Sequence, residues 1–166
     1  MYHPTTIVQN TDIPMNSGER TIQIEIPGNP VPKGRHRTTK SGISYTPEKT
    51  RKWEQIARLI ASDKMKGQDP MSGAISFKVE VYFDIPKSWP KWKKEVAEYE
   101  GVAHTSRPDA DNILKASSDA LNGVVFYDDS QIYLCTVKKK YSTKPRVEIS
   151  VIESEVIHSK TKKRSQ

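Results

Sequence analysis

An unbroken alternation of apolar and polar side chains from Ile75 to Ile85 constrains the fold of this 166-residue chain more than any other feature. Every second residue of the segment is apolar, and residues such as Lys78 and Glu80 stand between them. A period of two places the apolar set on one face of a β-strand. The segment therefore predicts a strand with one buried face, which requires a sheet and a covering layer.

The remaining patterns predict further strands and helices around this one. Pro47 suits the first position of a helix and Thr46 suits its cap, and Trp53 begins an apolar stripe that repeats at helical spacing. A second, short helix is predicted over 91–99, and the predicted additional strands cover residues 22–26, 43–45, 124–127, 131–141 and 146–153.

Strands and helices interleave without a strict βαβ rhythm, so we expect an α+β fold. It is a single-domain mixed β-sheet with helices packed on one face. We expect residues 21–155 to form the domain, residues 1–20 to form a flexible polar arm, and residues 156–166 to form a basic tail.

The composition favours an acidic partner in a reducing compartment. The chain carries a net charge of +7 and has a pI near 9.4, which favours nucleic acid as the partner. No apolar stretch is long enough to cross a membrane, and no secretion signal is recognisable, so we expect a cytoplasmic protein without a membrane partner. Its single cysteine, Cys135, lies in an apolar run and is predicted to be a packed strand thiol.

Acidic residues concentrate in one part of this basic chain. Five aspartates fall within the 21 residues from Asp109 to Asp129, together with a single base, Lys115. The window therefore carries a charge of −4, and the rest of the chain carries +11. A positive surround binds phosphates while carboxylates bind divalent cations, so this pattern is typical of metal-dependent chemistry on a polyanion.

The first part of the acidic window separates into two faces on a helical wheel. The apolar face predicts packing on the sheet, and the polar face predicts acids and a lysine directed outward. The polar face consists of Asp111, Lys115, Ser118, Asp119 and Asn122, and the apolar face of Ile113, Leu114, Ala116, Ser117, Ala120 and Leu121.

A turn at Asn122-Gly123 and a short antiparallel strand over 124–127 would bring Asp128-Asp129 back toward the start of that helix. Three or four carboxylates in one place would repel each other, and divalent cations would remove that repulsion. On their own, Asp109 and Asp111 are better explained as residues that stabilise the start of a helix, and it is the second acidic cluster that favours a metal site.

Two other metal sites do not fit the pattern. A calcium loop needs glycine and glutamate where Leu114 and Ala120 stand, and no set of Cys and His supports zinc. Hard oxygen ligands favour Mg²⁺, with Mn²⁺ as the alternative.

The run Arg107-Pro-Asp-Ala-Asp-Asn-Ile-Leu-Lys115, followed by Asp119-Ala-Leu-Asn-Gly123 and Asp128-Asp-Ser-Gln131, resembles the signature of the RusA family. These are small Mg²⁺-dependent Holliday-junction resolvases, often encoded by phages and prophages. The stretch Pro30-Val-Pro-Lys-Gly-Arg-His-Arg37 is similar to the basic N-terminal segment of the family, so the resemblance extends from Ile22 to about Glu153.

The resemblance implies a homodimer that resolves four-way junctions by paired symmetric nicks during DNA recombination and repair. It implies that Asp109, Asp111 and Asp129 hold the catalytic metal, with Asp128 as a possible ligand, and that Lys115 is the essential lysine. Basic side chains elsewhere are candidates for the surface that binds DNA phosphates. They are Lys33, Arg35, Arg37, Lys138, Lys139 and Lys140.

Two other functions are compatible with parts of the sequence. A non-catalytic protein that binds branched DNA, such as a prophage remnant, would bind junctions without metal-dependent nicking. A sugar-nucleotide transferase also uses an Asp-x-Asp pair to hold a metal, but the chain has no recognisable nucleotide-binding half. A four-way junction incubated with and without Mg²⁺ separates these functions from a resolvase.

Overall fold

The structure is a computed structural model that describes residues 19–34, 37–38, 44–45 and 47–154. The predicted basic tail lies outside these residues, as does the predicted arm apart from residues 19 and 20. Arg35 and the predicted helix cap Thr46 also lie outside them, and only the backbone of Arg37 is described.

Helices and strands follow each other along the chain without a simple repeat. The strands are β1 (Arg20–Pro27), β2 (Arg37–Thr38), β3 (Ser44–Tyr45), β4 (Ala74–Asp84), β5 (Ile132–Ser142) and β6 (Arg146–Ser154). The helices are α1 (Glu48–Lys64), α2 (Lys91–Glu98) and α3 (Ala110–Leu121), and a short 3₁₀-helix covers Asp129–Gln131.

A four-stranded sheet in the order β1-β6-β4-β5 forms the centre of the fold. Strand β4 pairs parallel with β5 and antiparallel with β6, and β6 pairs antiparallel with β1. The predicted α+β class and mixed sheet are therefore confirmed. The short strands β2 and β3 pair with each other in a separate hairpin.

The alternation in β4 determines which face of the sheet is buried. Phe77, Val79 and Val81 are all almost inaccessible to solvent, whereas Lys78 is exposed between them. Because neighbouring strands are in register, Val79 lies beside Ile149 of β6 and Val137 of β5 and continues the apolar face across the sheet.

Helices α1 and α3 cover this apolar face. Trp53, Ala57 and Ala61 of α1 are buried in one cluster with Ile113 and Leu121 of α3 and with the strand residues. Their burial removes apolar area from water, which is the main source of stability for such a layer. Trp53 therefore has the core position that its spacing predicts.

Helix α2 occupies a different place, at the end of β5. The carboxylate of Glu98 accepts hydrogen bonds from the backbone N–H of Thr143 at 2.9 Å and from its hydroxyl at 3.1 Å. Ala97 of α2 is fully buried, whereas Trp92 and Tyr99 are exposed. The helix is therefore fastened to the turn between β5 and β6.

The predicted strand over 124–127 is wrong, because the chain turns there. The N–H groups of Val124 and Val125 both donate to Leu121 O at 3.0 Å, and Gly123 adopts φ 73°, a conformation that favours glycine. Phe126 makes only isolated parallel bridges to Met71 and Asn122. The apolar residues of this run fill the core at a turn. Periodicity alone cannot distinguish such a short buried turn from a buried strand.

Two single-residue predictions are also corrected. Ser118 was predicted to lie on the polar face of α3, but it is buried. It lies at the border of the two faces, and its small side chain turns back to donate to the backbone O of Lys115 at 3.2 Å. Cys135 is exposed, because it lies on the outer strand of the sheet, where fewer neighbours cover it. Among the described residues, no helix has the length and apolar character that crossing a membrane requires.

The core turn provides a test of the fold through two adjacent aromatic residues. Phe126 is fully buried and packs edge-on against Phe77 with ring centroids 6.0 Å apart, while Tyr127 is 58% exposed. We predict that Phe126→Ala lowers the free energy of unfolding by about 3–5 kcal/mol. Tyr127→Ala should change it by less than about 0.5 kcal/mol. Urea unfolding of both variants measures this difference, and equal effects would show that Phe126 is not a core residue.

Candidate active site

The start of α3 presents two of the predicted metal ligands. Asp109 stands immediately before the helix with an extended backbone, and its carbonyl accepts from the N–H of Ile113 at 3.3 Å. Asp111 lies in the first turn and is exposed. Burial of Ile113 and Leu121 fixes the rotation of the helix and so directs the side chain of Asp111 away from the core.

The two adjacent aspartates before β5 have different roles in the structure. The carboxylate of Asp128 accepts from Ser130 N–H at 2.9 Å and caps the short 3₁₀-helix. Hydrogen bonding to the side chain of Ser130, and then to its backbone, lowers the pKa of Asp128. The side chain of Asp129 instead faces a cavity beside α3. Of the two, Asp129 therefore has the carboxylate that is free of a capping role.

Gln131 holds this turn in place. Its side-chain amide donates to the backbone carbonyls of Met71 at 3.0 Å and Gly73 at 2.9 Å, and its carbonyl oxygen accepts from Asp128 N–H at 2.8 Å. The first two hydrogen bonds fasten the segment that carries Asp129 to the chain before β4, and the third closes the turn within that segment. Gln131 was not identified as a site residue from the sequence, although its position three residues after Asp128 is typical of a capping box.

A cavity of about 430 Å³ brings Asp111 and Asp129 together with Lys115. Asp109 borders a neighbouring cleft of about 650 Å³ that includes Lys33 and Arg107, and Asn112 lines both spaces. The structure therefore places two of the three predicted ligands in one cavity and the third beside it. The other residues that line the cavity are Asn112, Leu114, Ser118, Ile132 and Cys135.

The donor set suits a hard cation, but the described carboxylates are not gathered around one point. Aspartate and asparagine oxygens are the ligands that Mg²⁺ and Mn²⁺ prefer. Within the described ranges, no group of three or more His, Cys, Asp or Glu side chains stands close enough to hold a metal ion. Asp109, Asp111 and Asp129 therefore remain predicted metal ligands.

The ammonium group of Lys115 lies between two carboxylates and neutralises part of their charge. Its Nζ lies 2.8 Å from Oδ1 of Asp119 and 3.2 Å from Oδ2 of Asp129. The hydrogen bond to Asp119, and then the one to Asp129, raises the pKa of Lys115, so the ammonium form is maintained at neutral pH. Lys115 is 55% exposed, which leaves it accessible from the cavity.

Lys33 extends the same network. Its Nζ lies 2.7 Å from Asp119 and 2.7 Å from Glu54 of α1, and its backbone N–H donates to Asn112 O at 2.9 Å. Burial lowers the pKa of Lys33, but the hydrogen bonds to Asp119 and Glu54 outweigh that effect, so the pKa is raised. Lys33 thus has two internal partners, and its predicted contact with DNA phosphate stays a prediction.

Lys139 supports the loop that leads to Asp109. Its ammonium donates to the carbonyl oxygens of Ser106 at 2.7 Å and Pro108 at 2.9 Å. The register of β5 places Lys139 beside Val81, on the face that the helices cover. A residue from the basic run predicted to bind DNA therefore holds the backbone immediately before Asp109.

The two neighbours of Lys139 point to the opposite face of the sheet. Lys140 is buried, and its Nζ lies 2.6 Å from Glu100 and 3.0 Å from Glu80. Lys138 is 2.7 Å from Glu100, and hydrogen bonds from these two lysines lower the pKa of Glu100 to about 2. Internal ion pairs do not favour the predicted phosphate-binding role for Lys140, while Lys138 is 59% exposed.

Four further residues differ in how far the sequence and the structure define their roles. Arg35 lies outside the described residues and the side chain of Arg37 is not described, so their predicted DNA contacts stay predictions. Glu54 was not identified from the sequence, because no local pattern connects α1 with Lys33. The pairing of Asp119 with Lys115, by contrast, follows from their spacing of four residues on one helix.

Comparison with known proteins places this arrangement in a family. The family model described as Endodeoxyribonuclease RusA matches residues 27–152, which include α1, α3 and every predicted metal ligand. The chain is 37% identical over 137 residues to YqaN of Bacillus subtilis (strain 168), described as an uncharacterized protein, and the match covers 80% of this chain and 96% of that protein.

A second relative has a named activity. The crossover junction endodeoxyribonuclease rusA of Lactococcus phage r1t is 38% identical over 68 residues, a match that covers 40% of this chain and 44% of the phage protein. Because the family model spans most of the domain, the shared part is not confined to one motif. The chain belongs to the RusA endodeoxyribonuclease family.

Proposed function

We propose that this protein is a divalent-cation-dependent endonuclease that resolves four-way DNA junctions by paired symmetric nicks in recombination and repair. The observation that carries the proposal is the cavity shared by Asp111 and Asp129, which come from separate stretches of chain and lie beside Lys115. Membership of the RusA endodeoxyribonuclease family supports the same reaction class.

The proposed ligands are Asp109, Asp111 and Asp129, and the proposed ion is Mg²⁺ or Mn²⁺. When bound, such an ion polarises a phosphate oxygen and lowers the pKa of a water molecule. Asn112 borders both the cavity and the adjoining cleft, so a phosphate that lies across α3 would contact both spaces. The loop held by Lys139 would orient Asp109, and Gln131 would orient Asp129.

Lys115 is the proposed electrophilic residue of the reaction. Its exposed ammonium lies at the cavity that contains Asp111 and Asp129, so it can donate to a non-bridging oxygen of a phosphate held there. A positive charge at that position stabilises the additional negative charge that develops during attack on phosphorus. This role depends on the ammonium form, which the raised pKa of Lys115 maintains.

The substrate symmetry favours a homodimer. A four-way junction has approximate two-fold symmetry, and an isologous dimer would present two equivalent sites to it. The proposed phosphate surface consists of Lys33, Arg35, Arg37 and Lys138, of which Lys138 is exposed on the polar face of the sheet. A net charge of +7 supports the attraction of a polyanion.

One observation also favours the non-catalytic alternative. In the part of the chain that the structure describes, no three potential ligands are gathered around one point, and Lys115 already neutralises Asp129. A protein that only binds branched DNA would tolerate this arrangement. The alternative predicts junction binding that is independent of Mg²⁺ and is not followed by cleavage.

The activity is tested with a labelled four-way junction and a linear duplex of the same sequence, each with Mg²⁺ or EDTA. We expect two symmetric nicks in the junction with Mg²⁺ only, and little cleavage of the duplex. Asp111→Asn should still bind the junction but should not cut it. Tight binding without nicks at any Mg²⁺ concentration would favour the non-catalytic alternative, and equal cleavage of the duplex would contradict junction specificity.

Adjacent aspartates provide a matched test of the ligand assignment. We predict that Asp129→Asn lowers the junction-cleavage rate by more than about 100-fold, since even outer-shell partners of a metal are worth about 10- to 100-fold. Asp128→Asn removes the same charge but keeps an oxygen that can accept from Ser130 N–H. It should therefore retain most of the activity. Single-turnover rates for both variants distinguish these outcomes, and the reverse order would assign the ligand role to Asp128.

Lys139 is tested by separating catalysis from binding. We predict that Lys139→Met lowers the cleavage rate by about 10- to 100-fold, because a small displacement of Asp109 disturbs the reacting geometry. Junction affinity in EDTA should change little. Lys78→Met, on the opposite face of the sheet, is the control and should have no effect on the rate. If Lys139 instead binds a phosphate, the variant would bind more weakly, and the log–log salt slope would decrease in magnitude by about 0.9.

A further inference from the structure

A row of alternating charges runs from α1 to the turn before β5. Glu54, Lys33, Asp119, Lys115 and Asp129 form four successive ion pairs with N–O distances of 2.7, 2.7, 2.8 and 3.2 Å. The proposed reaction uses the end of this row, Lys115 and Asp129. It assigns no role to the central residue, Asp119.

Both carboxylate oxygens of Asp119 are engaged. Oδ1 pairs with Lys115 and Oδ2 pairs with Lys33, and the side chain is only 24% exposed. The backbone carbonyl of Asp119 also accepts from Arg58 of α1 at 3.4 Å. Burial raises the pKa of Asp119, but hydrogen bonds from Lys115 and Lys33 outweigh this effect and lower it, so Asp119 is ionised at neutral pH.

Lys115 is consequently shared by two carboxylates. Its contact with Asp119, at 2.8 Å, is shorter than its contact with Asp129, at 3.2 Å. Lys115 contacts only Oδ2 of Asp129, but a divalent cation that binds Asp129 competes with this ammonium electrostatically, because both positive charges are attracted to the same carboxylate. If Asp119 were absent, Lys115 would have Asp129 as its remaining partner in the network and would compete more strongly.

We propose that Asp119 is a positioning residue that holds Lys115 partly away from Asp129, and that it thereby opens Asp129 to a divalent cation while keeping the lysine at the cavity. This inference rests on the proposed function, since it takes Asp129 to be a metal ligand and Lys115 to act on the phosphate. When a divalent cation replaces the Lys115 ammonium at Asp129, no large movement of the chain is required, because Lys115 keeps its ion pair with Asp119.

A purely structural role for Asp119 is the competing explanation. The link from Asp119 through Lys33 to Glu54 connects α3 with α1, so its loss would weaken the packing of the two helices. A general electrostatic role is the second competing explanation, because any carboxylate near the cavity attracts cations. Neither of these explanations requires Lys115, and this difference determines the experiment.

The test is a double-mutant cycle on Mn²⁺ affinity, measured with the full chain by electron paramagnetic resonance without DNA. We expect Asp119→Asn to weaken Mn²⁺ binding by about two- to fivefold, which is the range for an exposed ion pair. Lys115→Met should bind Mn²⁺ more tightly than the wild type. In the Lys115→Met background, Asp119→Asn should have no further effect. Glu54→Gln, which breaks the row two links from Lys115, is the control and should bind Mn²⁺ like the wild type.

Each outcome decides between the explanations. An equal loss of affinity from Asp119→Asn in both backgrounds, or the same loss in Glu54→Gln, would overturn the proposal and leave the proposed function intact. A wild-type protein that binds no Mn²⁺ and cuts no junction would reject both. If Asp119→Asn does not fold, Lys115→Met still tests the premise, because unchanged or weaker Mn²⁺ binding in that variant contradicts the competition and overturns the proposal.

Discussion

Repulsion between like charges is the constraint around which the acidic end of this molecule is built. The aspartates of α3 and of the turn before β5 would repel each other if they were brought together without cations. Lys33 and Lys115 separate them, so that positive and negative groups alternate from Glu54 to Asp129. The proposed chemistry depends on this balance, since a divalent ion must enter a place where an ammonium group already neutralises part of the charge.

Three consecutive lysines of strand β5 make different contacts on the two faces of the sheet. Lys139 faces the helices and holds the loop before Asp109, whereas Lys138 and Lys140 face the other side and pair with Glu100. Because successive side chains of a strand point to opposite faces, one basic run contributes to the site on one face and to an ion cluster around Glu100 on the other. A concentration of positive charge in the sequence is therefore not by itself a DNA-binding surface.

The periodic parts of the fold could be predicted from the sequence, and the parts that depend on distant contacts could not. The alternation in β4 and the apolar stripe of α1 predict the sheet and the helix that covers it, because each pattern arises from local geometry. The predicted strand over 124–127 was wrong, because these residues are buried in a turn that packs against Met71, a residue distant in the sequence. Likewise, the pairing of Lys33 with Glu54 joins segments 21 residues apart and leaves no local pattern.

The proposed chemistry requires a divalent ion held by Asp111 and Asp129, and the position of a bound ion in a crystal would show whether these carboxylates hold it. Crystals of the protein soaked in Mn²⁺ and measured at the manganese absorption edge would show where the metal binds, independently of catalysis. We expect an anomalous peak within coordination distance of carboxylate oxygens from both Asp111 and Asp129, with the Lys115 ammonium displaced toward Asp119. A fully occupied Mn²⁺ site elsewhere, or one that lacks Asp111 or Asp129 as a ligand, would contradict the proposed metal site.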